Sequence, residues 1–340
     1  YVKDSRKSSD QQAKLKLERL NSTLRFTSCA IGLVHYESMS PVKSVKVIMN
    51  ARSGVGEKAD ARRSLTEIFQ AGGVRADISL AESGADVDRF AKDAARGDWE
   101  VIMAGGGDGT INTVASYLIG TDKILGVLPL GTLNHFAKDL NIPLDLEGAA
   151  QTAISGHAVN VDVGEVSGRI FLNNSNLGLY PAIVREREKK QSLGSGKWTA
   201  FVWAVISAFR RYPFLHVRLV AGGKKFDLKT PFVFVGNNEY VMERLSIGGR
   251  KRLDQGVLSL YVTNRTGRWG LVRLALRALL GHLREEKDFL ALLTDEVKIE
   301  TRHKRLRVAF DGEVDVMRTP LRYHCRPGSL RVMVPENENE

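Results

Sequence analysis

Gly105, Gly106, Gly107, Asp108, Gly109 and Thr110 follow the apolar run Val101-Ile102-Met103-Ala104 without a break. Glycines have no Cβ, so their backbone N–H groups can approach an anion closely, and the first N–H groups of a following helix extend the same surface. The chemistry this implies is the holding of phosphate, with Asp108 beside it to manage a cation. The segment has neither the lysine and spacing of a P-loop nor the G-x-G-x-x-G turn of a dinucleotide site. Two other loops have a related character. Asn50-Ala51-Arg52-Ser53-Gly54-Val55-Gly56 follows Val45-Lys46-Val47-Ile48-Met49, and Gly131-Thr132-Leu133-Asn134 follows Gly126-Val127-Leu128-Pro129-Leu130.

The elements that must hold these loops alternate. Hydrophobic periodicity predicts strands at 45–49, 75–80, 100–104 and 124–128, and helices at 59–70, 85–96, 110–118 and 133–139. That order implies a mostly parallel sheet covered by helices, with ligand loops at the strand ends. After about residue 158 the rhythm shortens. Strands are predicted at 158–163, 169–174, 215–220, 232–235, 257–262, 296–300, 306–310 and 330–334, with helices at 197–209 and 269–280. The periodicity thus predicts an α/β domain followed, from about residue 158, by a second, antiparallel β-rich domain. Residues 1–42 form an arm of unassigned role.

The pair Gly105-Gly106-Gly107-Asp108-Gly109-Thr110 and Leu128-Pro129-Leu130-Gly131-Thr132-Leu133-Asn134-His135-Phe136-Ala137 resembles the lipid kinase family of diacylglycerol kinase catalytic domains, sphingosine kinases and ceramide kinases. The resemblance runs over roughly residues 43–335, and it implies an α/β nucleotide-binding domain (43–157 and 319–335), a β-sandwich-like lipid-binding domain (158–318) and a terminal segment that returns to the first domain. It implies ATP and Mg²⁺ as cofactors, with Asn50, Ser53, Gly54 and Gly56 in a first nucleotide loop. Gly106, Gly107, Asp108, Gly109 and Thr110 fall in the main phosphate loop, and Gly131, Thr132 and Asn134 in a third. Asp311-Gly312-Glu313 reads by itself as a surface turn. By resemblance Asp311 is the general base, with Asp108 the alternative, while Glu313 organises nucleotide or magnesium and Asp108 positions hydrated magnesium. Asn176 and Tyr180 fall at the family's opening to the lipid side. Trp198 and Trp203 lie in an apolar helical stretch that reads either as lipid contact or as an ordinary buried helix.

Three positions depart from the family's pattern. Ala51 replaces a proline, His135 replaces an aspartate, and Gln255 replaces one aspartate of an acidic turn around Asp254, where an amide is a poor ligand for a hard cation. The implied reaction is phosphorylation of a hydroxyl on a neutral lipid, with diacylglycerol first and ceramide or a sphingoid base next. An NAD kinase and a lipid-sensing protein without turnover are the other readings.

Fifty Lys and Arg against 39 Asp and Glu give the 340-residue chain a net charge of +11. Such a field attracts nucleic acid, phosphorylated molecules and anionic bilayers alike. No nucleic-acid-binding module accompanies it, so no specific nucleic-acid partner is expected. Basic clusters at 185–190, 250–252 and 302–307 suit solvated surface or collective membrane docking. Cys29 and Cys325 form no metal or disulfide pattern, and the apolar runs are too short to span a bilayer. The expectation is a cytoplasmic protein reversibly attached to the inner, anionic membrane surface, with a homodimer left open.

Overall fold

The computed structural model describes residues 42–51, 58–178, 214–243, 246–263 and 289–336. β1 (Ser44–Asn50), β2 (Arg75–Ala81), β3 (Val101–Gly106) and β4 (Ile124–Pro129) lie parallel in the order β2-β1-β3-β4. β3 and β4 are buried at every position, which is why both read as unbroken apolar or small runs. α1 (Lys58–Ala71), α2 (Gly84–Arg96) and α3 (Asp108–Leu118) connect these strands, and α4 (His135–Asp139) and α5 (Leu146–Ser155) follow β4. α2 starts at a capping box. Ser83 Oγ accepts from Asp86 N at 3.2 Å and Asp86 Oδ2 accepts from Ser83 N at 3.1 Å. α5 starts where Asp145 accepts from Gly148 N at 2.7 Å.

The parallel sheet does not end at β4. β18 (Leu321–Val334) runs parallel to β4 through Arg331 and Val332, and antiparallel to β5 (His157–Val166) and β15 (Glu296–Thr301). β6 (Arg169–Phe171) pairs with β5, and beyond β15 the sheet continues antiparallel through β8 (Leu215–Ala221) and β9 (Lys224–Thr230). A second, antiparallel sheet has the order β14 (Phe289–Thr294), β13 (Leu258–Thr263), β10 (Phe232–Asn237), β7 (Asn174–Gly178), β16 (Arg305–Phe310), β17 (Glu313–Arg318). The two sheets share a core in which Val217, Leu219, Ile299 and Tyr323 of the first meet Leu177, Val233, Leu260 and Val308 of the second. β11 (Tyr240–Glu243) and β12 (Ser246–Arg250) form a separate hairpin.

The architecture is the expected α/β domain with a β-sandwich-like partner and a returning terminal segment. The predicted strand at 169–174 is instead two strands, broken at Leu172 and Asn173. α5, β9, β11, β12, β14 and β17 lie where the sequence reading placed no element. The predicted helices at 197–209 and 269–280, and the arm up to residue 41, lie outside the described residues. No described helix is long and apolar enough to cross a membrane.

Candidate active site

β3 delivers the glycine loop directly into α3, whose N-cap Gly107 provides no side-chain cap. The first-turn N–H groups of α3 are thus left without the hydroxyl or carboxylate acceptors that close α2 and α5. Space around the glycines is filled by neighbours. A Cβ on Gly105 would lie 2.9 Å from Met49 Cγ, and one on Gly106 would lie 2.5 Å from Thr110 Oγ1. At Gly131 a Cβ would meet Gly107 Cα at 2.5 Å and Asn134 Oδ1 at 2.8 Å, so the main and third loops touch backbone to backbone.

Side-chain amides set the loop shapes. Asn50 Nδ2 donates to Thr110 Oγ1 at 3.2 Å, tying the end of β1 to the first turn of α3. Asn134 is buried in a left-handed conformation with φ 51°. Its Oδ1 accepts from Gly131 N at 3.1 Å, and its Nδ2 donates to Pro129 O and Gly131 O, both at 3.0 Å. Asn134 therefore shapes the third loop from inside, while Thr132 and His135 are exposed. Gly131→Ala should shift the two touching backbones. Overpacking of this kind costs about 1–3 kcal/mol, so a lower unfolding temperature and weaker phosphate-ligand binding are expected in calorimetry.

The Asp311-Gly312-Glu313 turn joins β16 to β17 and faces these loops. Asp311 and Gly312 have φ values of 45° and 88°, the left-handed pair a tight hairpin uses. Asp311 is buried, and its carboxylate accepts from the backbone N–H groups of Leu172 (2.6 Å), Asn173 (2.9 Å) and Asn174 (3.1 Å). Burial dominates over those three donors and raises the carboxyl to about 6, with the negative charge of Asp108 adding to the rise. Glu313 Oε1 lies 3.0 Å from where a Gly109 Cβ would be, so the carboxylate comes close over the loop at Gly109. Partial desolvation raises the Glu313 carboxyl even though the residue as a whole is exposed, with Arg169 opposing the rise.

Asn173 joins the two aspartates. Its backbone N–H donates to Asp311, and its side-chain Nδ2 donates to Asp108 Oδ1 at 3.4 Å. Asp108 Oδ1 also accepts from Phe136 N at 3.4 Å, whereas its Oδ2 has no protein donor among the described residues. Asn173 Oδ1 in turn accepts from Arg250 Nη2 at 2.7 Å. The Arg250 side chain is wholly buried, donating from Nε to Asp139 Oδ2 at 2.7 Å and from Nη1 to Leu172 O at 2.6 Å and Asn237 O at 3.1 Å. It lies over the Tyr240 ring, and Tyr240 OH donates to Asn173 O at 3.0 Å. Burial raises the Tyr240 phenol to about 12, keeping it a neutral donor.

Arg250 corrects the sequence reading, which placed it in a solvated basic cluster. Its charge is neutralised by Asp139 at the C-terminus of α4, and it belongs to the site's scaffold. Asn173, Arg250, Asp139 and Tyr240 were missed. One physical signal existed: an acid at a helix C-terminus faces the negative end of the helix dipole and needs a cation.

Of the remaining sequence candidates, Asn176 lies buried in β7 and donates from Nδ2 to Asn174 Oδ1 at 2.7 Å. Ser53, Gly54, Gly56, Tyr180, Trp198 and Trp203 lie outside the described residues. Asp254 is paired with Arg252 through two 2.9 Å hydrogen bonds that hold its carboxyl below the usual range, and Gln255 Oε1 accepts from Glu239 N. The described residues contain no cluster of three acidic, His or Cys side chains suited to a metal. A magnesium ion held chiefly by phosphates and water needs only one or two carboxylates, and the open Oδ2 of Asp108 fits that requirement.

Residues 44–166 match the diacylglycerol kinase catalytic domain, and residues 179–334 match the YegS C-terminal NAD kinase beta sandwich-like domain. A diacylglycerol kinase of Bacillus subtilis (strain 168) is 27% identical over 278 residues, covering 80% of this chain and 90% of that protein. A probable lipid kinase YegS-like of Yersinia pestis (strain Pestoides F) is 38% identical over 135 residues, 38% of this chain and 46% of its own length. The solved structure of a Bacillus anthracis str. Sterne diacylglycerol kinase shares the fold, with TM-score 0.66 at 20% identity over 88% of this chain and 99% of that one. With both of its halves matched in the order that the fold requires, the chain belongs to the diacylglycerol kinase catalytic-domain family and is a lipid kinase.

Proposed function

We propose that the chain transfers the γ-phosphoryl group of ATP to a hydroxyl of diacylglycerol at an anionic membrane surface. The observation that carries the reading is the placing of Asp311 against the glycine loop, with Asn173 bridging it to Asp108. The first-turn N–H groups of α3 and the backbone N–H groups of the glycine loop bind phosphate oxygens. Asp311, ionised at neutral pH with its carboxyl near 6, takes the hydroxyl proton as the new O–P bond forms and the bond from the γ-phosphorus to the bridging oxygen breaks, releasing ADP. Magnesium would neutralise charge on the phosphates. Asp108 would orient the ion through water. The acceptor is read from the Bacillus subtilis relative's name and the length over which that relative matches.

The deciding assay offers ATP with diacylglycerol, ceramide, sphingosine, monoacylglycerol and NAD in parallel. Phosphatidic acid as the main product supports the proposal. Phosphorylated NAD without a lipid product would sink it. Asp108→Asn is expected to lower turnover about 10- to 100-fold, the usual effect of losing an outer-sphere metal partner, and to raise the magnesium needed for half-maximal rate. The fold should persist, because the hydrogen bonds given to Asp108 are long. An unchanged magnesium dependence would remove Asp108 from the metal's surroundings.

A further inference from the structure

Away from the catalytic turn, the β16–β17 hairpin has an outer face that is open to solvent except at Ala309. Residues directly opposite in an antiparallel pair share a face. The register places Arg305 opposite Arg318, Arg307 opposite Val316, and Ala309 opposite Val314. The other face holds Leu306, Val308, Phe310 and Met317, which pack into the core between the sheets. On the outer face Arg305, Arg307 and Arg318 are exposed, and so are Val314 at 36% and Val316 at 54%. Arg302 and Lys304 continue the charge into the loop before β16 and are exposed as well.

Among the described residues none of these five cations has a carboxylate partner, whereas Arg218, Arg250, Arg252, Lys298 and Arg326 all do. Like charges directly opposite on a sheet are destabilising. The Arg305 and Arg318 pair is therefore unfavourable to the fold alone and favourable only beside an external anion. β17 is also an edge strand among the described residues, and it begins at Glu313, directly after the Asp311 turn.

We infer that this hairpin face is the surface by which the enzyme docks on an anionic bilayer, with the arginines on phospholipid headgroups and Val314 and Val316 entering the interface. The combination of apolar side chains flanked by unpaired cations matches a headgroup boundary. Nucleic acid would leave the valines without a role. The inference rests on the lipid-kinase reading, and it adds an orientation: the bilayer lies along the strand that leads to the catalytic turn, so a lipid hydroxyl reaches Asp311 without leaving the membrane plane.

The test compares two full-chain variants that remove the same charge. Arg305→Gln, Arg307→Gln and Arg318→Gln are combined in one, and Arg62→Gln, Lys92→Gln and Arg96→Gln, exposed on α1 and α2, in the other. Sedimentation with phosphatidylcholine vesicles, with and without phosphatidylglycerol, reads binding. An arginine near an anionic surface contributes roughly fivefold, so the hairpin variant should lose about a hundredfold in affinity for the anionic vesicles. The control variant should lose only a few-fold, and both should keep wild-type turnover of water-soluble dioctanoylglycerol. Equal losses in the two variants would reduce the effect to net charge and overturn the inference. So would retained vesicle binding by the hairpin variant, or wild-type affinity for RNA without affinity for vesicles. If Val314→Ser with Val316→Ser binds as wild type, the valines do not enter the interface. Absent turnover of dioctanoylglycerol by every protein would defeat the acceptor assignment, while the vesicle arms still decide the docking face.

Discussion

Asp311→Asn lowers phosphoryl transfer by about 10² to 10⁴ if Asp311 is the general base, the range that positioned proton acceptors contribute. The amide keeps the shape but has a single acceptor oxygen. It cannot receive all three N–H groups of Leu172, Asn173 and Asn174 without setting its NH₂ against one of them. ATP affinity and thermal unfolding must therefore be measured on the same preparation. The pH profile separates proton transfer from damage. Wild-type turnover should fall as pH drops through about 6, where the Asp311 carboxyl takes up its proton, and the residual rate of the variant should lack that limb. Stability runs the other way. The folded-state value lies above the ordinary 3.8, so the folded protein binds the proton more tightly than the unfolded chain. This carboxyl's contribution to stability is greatest below about pH 4 and declines as pH rises to about 6. A folded, ATP-binding variant that phosphorylates at nearly the original rate would transfer the role to Asp108 or water.

Arg250→Ala has the largest expected effect on the fold. It leaves Asp139 buried and unpaired, and removes the donors to Leu172 O, Asn237 O and Asn173 Oδ1. Breaking a buried ion pair from one side costs about 3–5 kcal/mol. For a protein of this size the unfolding temperature should drop by on the order of 10 °C. Replacing both partners, Arg250→Met with Asp139→Leu, should recover much of that stability, because no charge is then stranded. Turnover should stay low in the double variant, since Asn173 would still lack the guanidinium that fixes its amide beside Asp108. Full recovery of turnover would show that Arg250 serves packing only.

The parts legible in the sequence are those whose cause is local. The glycine loop after β3 is fixed by its own missing Cβ atoms, and the alternating strands and helices before residue 140 by periodicity. The break between β6 and β7 was not legible. It exists because Asp311, 138 residues away from Asn173, supplies the acceptor that a continuous ladder would have given. Arg250 was misread for the same reason. Gly249-Arg250-Lys251-Arg252 looks like solvent-facing charge until Asp139 arrives from α4, 111 positions earlier. β17 was overlooked although Glu313-Val314-Asp315-Val316 alternates polar and apolar residues, and its two valines turn to solvent instead of the core.

The strand that completes the parallel sheet is also the last made of the described strands. Arg331 of β18 donates to Asp122 O across 209 residues of chain, so β4 leaves the ribosome long before its outer neighbour exists. During that interval the nascent nucleotide-binding half presents an open, apolar sheet edge, the kind of surface on which chains pair wrongly. The late strand thus makes cooperative assembly of both halves depend on synthesis reaching Val334. Fragments that stop before residue 321 should accumulate as aggregates or chaperone clients.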